Sequence, residues 1–124
     1  MDYTGFEVEV NGRVLHYPDV TIEVTFLRSG KPIITSTQWP LSIGLHTAIR
    51  YDGWSFEQNT RFHSKDSSYL HGILRGGQPF KLHVRQIMET VLDFETAVTK
   101  LYELDLMAPM YFIVAGSKPY EGAV

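Results

Sequence analysis

The chain has 124 residues, of which 44% are hydrophobic and 13% aromatic, so it is long and apolar enough for one domain with a buried core, and a disordered class is excluded. A net charge of −3 with scattered Lys and Arg excludes the basic face that nucleic-acid binders use. The absence of cysteine excludes disulfides and thiolate metal sites, and it favours a reducing, cytoplasmic compartment. The sequence shows no signal-peptide pattern and no apolar run of membrane-spanning length.

The first half of the chain has the alternation typical of β-strands. FEVEVNGRVLHY alternates apolar and acidic residues up to Asn11-Gly12, which predicts a two-residue hairpin turn because both turn positions need a positive φ. VTIEVTFLRSGKPIITST predicts a second hairpin that turns over 28–31. WPLSIGLHTAIRYDG predicts a loop, and WSFEQNTRF predicts a strand with Phe56 and Gln58 on one side.

The second half is predicted to be mainly helical. GILRGGQPF predicts a loop whose Gly-Gly pair stops a helix, and apolar residues recur at helical spacing from Lys81. Asp93 is a candidate N-cap for another helix, and MAPMYFIVAG predicts a short apolar strand. Strands, then helices, then a strand predict an α+β domain spanning 1–124, with a mostly antiparallel sheet covered by helices on one side.

Few residues point to chemistry by type and spacing alone. No two histidines have the spacing of a metal-binding helix or finger, and no cofactor motif is recognisable; the histidines are His16, His46, His63, His71 and His83. Arg61 near Asn59 and Glu57 could bind a carboxylate or an amide, or could form an ordinary ion pair at the end of a strand. The aromatic residues of the central loop could line an apolar groove or pack in the core; they are Trp39, Tyr51 and Trp54.

Two segments resemble a known family. LSIGLHTAIRYDGWSFEQNTRF and DFETAVTKLYELDLMAPMYFIVAG, followed by SKPYEGAV, resemble the loop, strands and helix of acid ceramidase and N-acylethanolamine acid amidase in the same order. The resemblance implies an N-terminal-nucleophile hydrolase with a four-layer αββα sandwich, of which this chain would hold part. It also implies hydrolysis of fatty-acyl amides by a cysteine whose own α-amino group is the base.

The resemblance assigns residues by position. Met1-Asp2-Tyr3 matches the family's Leu-Asp-Tyr, so Asp2 falls on its catalytic aspartate, and the matching arginine and cysteine would lie upstream. The substrate-binding candidates, which fall on the matching loop and strand, are Trp39, His46, Asn59 and Arg61. The chain departs from the family at Ala48, where the family has glycine, and at Thr60, where an acidic residue is frequent.

Two hypotheses follow from this resemblance. In the first, the chain is an internal piece of a longer hydrolase and is inactive alone, because it has no cysteine and both of its ends fall inside structural elements. In the second, it is a non-catalytic module that binds an acyl lipid or a protein. Half a sandwich would expose an apolar sheet, so the second hypothesis predicts a homo-oligomer.

Overall fold

The computed structural model describes residues 7–61 and 67–124. Its strands are β1 (Glu7–Val10), β2 (Arg13–His16), β3 (Ile22–Arg28), β4 (Lys31–Gln38), β5 (Thr47–Arg50), β6 (Ser55–Thr60), β7 (Met110–Ala115) and β8 (Gly122–Ala123). Its helices are α1 (Tyr17–Val20), α2 (Ser67–Leu74), α3 (Phe80–Thr90) and α4 (Phe94–Tyr102). Within the described ranges, no helix has the length and apolar content needed to cross a bilayer.

The N-terminal hairpin forms where the sequence predicts it. β1 and β2 pair antiparallel, with Val10 opposite Arg13 and with φ values of 52° at Asn11 and 76° at Gly12. Positive φ at both turn residues matches the right-handed twist of the flanking strands. This hairpin forms a two-stranded sheet separate from the main one.

The main sheet has six strands, which lie in chain order from β3 to β8. Every neighbouring pair is antiparallel, and the β3–β4 turn has positive φ at Ser29 and Gly30. The long connection between β6 and β7 carries α2, α3 and α4. The expected α+β class with a mostly antiparallel sheet is therefore confirmed.

Helices α3 and α4 pack on one face of the sheet, where α3 contacts β4 and α4 contacts β7. Alternate strand residues point toward these helices, and the helices contribute buried apolar residues at the predicted helical spacing. The buried apolar residues on the strands and helices are Ile34, Ala48, Phe56, Val114, Val84, Ile87, Met88, Ala97 and Leu101. The core thus lies between the sheet and one helical layer.

The β5–β6 hairpin fixes the C-terminal end of α3. The guanidinium of Arg50 donates to the carbonyl of Met88, and Trp54 Nε1 donates to the carbonyl of Val91 at 3.1 Å. The last carbonyls of a helix have no intrahelical partner, so these two buried side chains satisfy groups that the helix itself leaves open. The contacts set the position of α3 along the sheet.

The other face of the main sheet carries no helix from the described residues and is mixed in polarity. Thr35 hydrogen bonds to Thr25 at 3.4 Å and to the hydroxyl of Tyr51 at 2.9 Å. Ile49 and Ile113 lie on the same face and are 60% and 37% exposed. We call this surface the open face.

The loop predictions over WPLSIGLHTAIRYDG and GILRGGQPF are both wrong in part, because the first stretch contains a strand and the second overlaps the end of a helix. Residues 47–50 form β5, in which Ala48 and Arg50 point inward and Thr47 and Ile49 point outward, so this strand buries a charged residue and exposes a large apolar one. Helix α2 includes Gly72, whose missing side chain makes room for the backbone of Met107. The helix stop at Gly-Gly is confirmed, because α2 ends at Leu74 and Gly76 has a φ of 84°.

Asp93 caps α4 as predicted, and its carboxylate accepts from the backbone N–H of Thr96 at 2.8 Å. This bond holds the pKa of Asp93 below its ordinary value of 3.8. A lowered carboxyl pKa contributes stability that is present above 3.8 and is lost as the pH falls through the lower folded value.

We therefore expect Asp93→Ala to lower the melting temperature at pH 7, because the cap is lost, and the difference from wild type to shrink at strongly acid pH. Thermal unfolding followed by circular dichroism at several pH values measures both effects. Asp93→Ser is the matched control, since it keeps a capping oxygen without a charge and should retain most of the stability at pH 7. Equal melting temperatures for Asp93→Ala and wild type at pH 7 would contradict the expectation.

Candidate functional site

His46 lies at the centre of an aromatic cluster on the helix-covered side of the sheet. Its ring centroid is 5.4 Å from that of Trp39 and 6.1 Å from that of Phe80. The backbone N–H of Gln58 donates to the His46 carbonyl at 3.2 Å, and the Gln58 side chain is buried. Thr47 Oγ1 lies 3.5 Å from His46 Nδ1.

The cluster continues from the surface to the core as one row of rings. Tyr17 lies 5.0 Å from Trp39 at the outer end, and Phe112 lies 6.0 Å from Phe80 and 5.1 Å from Phe56 at the inner end. Such a row gives an apolar wall with a small number of polar groups, the composition typical of sites for apolar small molecules.

Lys81, at the start of α3, joins the cluster to the loop that precedes His46. Its ammonium lies 5.6 Å from the centre of the Trp39 ring and donates to Ser42 Oγ at 3.1 Å. Its backbone carbonyl accepts from the N–H of Leu45 at 3.0 Å. The loop 39–46 is thereby held on the first turn of α3.

Burial lowers the pKa of His46 below its ordinary value of 6.5, because an imidazolium inside the cluster would lose hydration. The positive charge of Lys81 lowers the pKa further, whereas Glu57 and Gln58 act in the opposite direction. The net effect favours the neutral imidazole at neutral pH.

We expect this shift to make folding stability pH-dependent. The unfolded chain binds more protons at His46 than the folded chain does, so the free energy of unfolding rises with pH. The His46 contribution is complete above pH 6.5 and decreases as the pH falls from 6.5 toward the lower folded pKa.

Urea unfolding at pH 7.5 and pH 5.5 measures this slope. His46→Gln should show a smaller loss of stability over this interval than wild type, and His71→Gln, in which an exposed histidine is replaced, should behave as wild type. An equal pH slope in wild type and His46→Gln would contradict the assignment.

The four substrate-binding candidates are divided between the two faces of the sheet. Trp39 and His46 are brought together on the helix-covered side. Asn59 and Arg61 lie at the end of β6 on the open face, where Asn59 is opposite Tyr111 and Arg61 lies 5.5 Å from the Tyr111 ring. Asp2 lies outside the described residues, as does His63.

Several residues that lie beside the predicted candidates could not be identified as site residues from the sequence. Gln58 and Phe112 face each other across β6 and β7, while Phe80 and Lys81 reach the cluster from the start of α3. The alternation of Phe56 and Gln58 was a signal for their shared side. Nothing local in the sequence signals that α3 begins beside His46.

The described residues hold no group of three or more His, Asp and Glu side chains placed to bind a metal ion. A cleft of about 360 Å³ between α3 and α4 shares no residue with the aromatic cluster, and it is lined by His83, Gln86, Ile87, Thr90, Lys100, Glu103 and Leu104.

The hydroxyls of Ser36 and Thr35 have structural partners rather than a base. Ser36 is fully buried and donates to the carbonyl of Thr47 at 2.9 Å, and Thr35 hydrogen bonds to Tyr51. With no cysteine in the chain, none of these residues has the thiol and adjacent free amine of a cysteine-type N-terminal nucleophile.

Comparison with known proteins finds relatives both by sequence and by fold, although no protein-family model matches the chain. The chain is 29% identical over 131 residues to N-acylethanolamine-hydrolyzing acid amidase of Cavia porcellus and 31% identical over 111 residues to acid ceramidase of Mus musculus. These matches cover 92% and 85% of the chain. The chain spans only 34% and 28% of the two relatives.

The fold is also similar to a solved relative. The Caenorhabditis elegans N-acylethanolamine-hydrolyzing acid amidase ortholog matches with a TM-score of 0.74 at 26% identity, over 84% of this chain and 45% of that one. Sequence and structure thus agree on the same relatives. The chain belongs to the acid ceramidase and N-acylethanolamine acid amidase family, and its sheet and helices are part of the N-terminal-nucleophile hydrolase fold.

Proposed function

We propose that this chain is a sheet-and-helix part of a hydrolase acting on fatty-acyl amides, and that the 124 residues alone have no amidase activity. The observation that carries the proposal is the match to relatives named as an acid amidase and an acid ceramidase over 85% to 92% of the chain. The absence of cysteine places the expected nucleophile outside these residues.

In this proposal the open face is the side on which the reaction takes place. Asn59 and Arg61 project from that face, so they are available to a layer that carries the nucleophile. Arg61 is exposed and lies over Tyr111, which leaves its guanidinium free to bind a substrate carbonyl or a carboxylate such as Asp2. Trp39 and His46 lie on the helix-covered side, so in this proposal they pack behind the sheet and do not contact the reacting group.

The first experiment compares two polypeptides. The 124-residue chain and the protein purified from its native source are both assayed with a fluorogenic fatty-acyl amide at acid and neutral pH, and the intact mass of the native protein is measured. We expect no turnover by the 124-residue chain, and a native mass above 14.2 kDa with an N-terminal cysteine peptide. Turnover by the 124-residue chain, or a native mass of 14.2 kDa, would overturn the proposal.

A variant then tests Arg61 in the active native-length protein. Arg61→Ala is expected to lower kcat/KM by about 10- to 100-fold, the range for losing one hydrogen bond to a charged group. Arg75→Ala is the matched control, because Arg75 is exposed beyond the end of α2 and should leave kcat/KM unchanged. Equal kcat/KM for Arg61→Ala and Arg75→Ala would remove Arg61 from the site.

A second candidate function is a non-catalytic module that pairs with another copy of itself and binds an acyl lipid. The exposed Ile49, Tyr111 and Ile113 favour it, because they form apolar surface on a sheet face that the described residues leave uncovered. Light scattering should then show a dimer that Ile49→Lys dissociates. Chain that stays monomeric at high concentration would contradict this function.

A further inference from the structure

Three arginines from three elements meet at the last turn of α3, beside the edge strand of the main sheet. Arg28 ends the edge strand β3 and Arg85 lies on α3, and their guanidinium nitrogens are 3.6 Å and 2.7 Å from the two carboxylate oxygens of Glu89. Arg50 on β5 reaches the same turn, where it donates to the carbonyl of Met88. We call Arg28, Arg50 and Arg85 the arginine cluster.

Positive charge exceeds negative charge at the arginine cluster. Within 7–61 and 67–124, Glu89 is the one acidic side chain that forms an ion pair with any of these arginines. Lys31 is opposite Arg28 in the β3–β4 register and adds another cation. The chain as a whole has a net charge of −3, so this excess is a local feature. A concentrated positive charge of this kind attracts anions.

Arg50 is the member of the cluster whose charge is least compensated. It is 9% exposed, and its Nε is buried without a hydrogen-bond partner among the described residues. Burial and the charge of Arg28 lower the pKa of Arg50, and the opposing effect of Glu89 does not restore it. Buried charged groups are ordinarily paired, so an unpartnered buried donor indicates a place for an additional anion.

The other two guanidiniums are accessible from solvent. The side chains of Arg28 and Arg85 are 55% and 40% exposed. Arg85 is fixed in orientation, because its Nε is bonded to Glu89 and its guanidinium lies 4.8 Å from the centre of the Phe26 ring. Arg28 lies farther from Glu89 than a hydrogen bond allows, so its N–H groups remain available. Two such planar donor groups match the oxygens of a phosphate.

We propose that the arginine cluster binds a phosphate group, as free phosphate or as the end of a small soluble ester, between Arg28 and Arg85 with Arg50 behind them. A phosphate carries about two negative charges near neutral pH, whereas a carboxylate carries one, so phosphate compensates the excess charge better. The cluster lies beside α3 on the helix-covered side of the sheet, away from the open face. The proposal therefore does not depend on the proposed amidase function.

NMR titration of the arginine Nε–H signals tests the site directly. Inorganic phosphate, methyl phosphate and acetate are each added at constant ionic strength, so that general screening does not change. We expect saturable shifts at Arg28 and Arg85 with both phosphate probes and much weaker binding of acetate. The phosphate probe that binds more tightly identifies free phosphate or an ester as the preferred form.

Three results would overturn the proposal. The first is the absence of a saturable shift with either phosphate probe, which would leave the arginine cluster as a structural link between the β3–β4 hairpin and α3. The second is acetate that binds as tightly as phosphate. The third is binding to phosphatidic acid in phosphatidylcholine vesicles without binding to the soluble probes, which would indicate a membrane surface.

Charge-matched variants assign the binding to these residues. Arg28→Gln and Arg85→Gln should each weaken phosphate binding about tenfold, the effect of losing one hydrogen bond to a charged group. Arg75→Gln removes the same charge from an exposed position beyond α2 and should bind as wild type. Glu89→Gln should bind several-fold more tightly, because it removes the competing charge and keeps an acceptor for Arg85. Equal affinities in the three arginine variants would overturn the proposal.

Discussion

Replacing Gly44 by alanine is expected to lower the free energy of unfolding by about 3 kcal/mol, because two independent costs add at this position. Gly44 has a φ of 92°, a backbone conformation that a residue with a Cβ adopts only under strain. A Cβ at Gly44 would also lie 2.5 Å from the carbonyl oxygen of Lys81, and the atom it meets is backbone rather than the end of a flexible side chain.

Gly30→Ala is the matched control. Gly30 has a φ of 77°, but a Cβ there meets nothing within 4 Å. It should therefore show only the backbone cost, about 1 kcal/mol. Urea unfolding of both variants separates the two costs, and equal losses in Gly44→Ala and Gly30→Ala would show that the contact with Lys81 contributes nothing.

Gly44→Ala also has a consequence for the site. The loop 39–46 can relieve the clash only by moving away from α3, so the hydrogen bond from Leu45 to Lys81 should weaken first. Loss of Leu45 amide protection at pH 7.5 would show this, and unchanged protection would mean that the clash is relieved without separating the loop from α3.

Trp54→Ala is expected to cost about 3 to 5 kcal/mol, the range for removing a large buried aromatic side chain. Trp54 is 1% exposed, packs in the core and donates to the carbonyl of Val91. Its loss leaves both a cavity and an unpaired carbonyl at the end of α3.

Trp54→Phe separates these two contributions. Phenylalanine keeps most of the packing but has no N–H, so the expected cost is about 1 to 3 kcal/mol for the carbonyl left unsatisfied. Denaturant unfolding of both variants gives the two values. Wild-type stability in Trp54→Phe would mean that water or another donor reaches the Val91 carbonyl, and that the end of α3 does not depend on this bond.

Features with local causes could be predicted from the sequence. Asn11-Gly12 sets its turn through its own φ values, and Asp93 caps α4 by reaching a backbone N–H three residues away. The helical spacing from Lys81 also follows from a period within one element. In each of these, the residues that decide the conformation lie within a few positions of one another.

Features with distant causes could not be predicted. The sequence predicts a loop over the residues of β5, and the burial of its inward Arg50 depends on the Met88 carbonyl, 38 positions away. The contact between Ser42 and Lys81 likewise joins positions 39 apart. No pattern within a segment reports which carbonyl or hydroxyl the fold will bring to it.

In the candidate site, too, some features have local causes and others depend on residues far apart in the chain. The sequence by itself determined that Gln58 and Asn59 point to opposite sides of one strand, because strand side chains alternate. It also carried the family resemblance that selected Trp39, His46, Asn59 and Arg61. Only the tertiary structure decided that α3 and α4 cover one of the two faces, because that choice depends on how segments far apart in the chain pack together. That packing places His46 among rings beside Lys81 and leaves Arg61 on the open face.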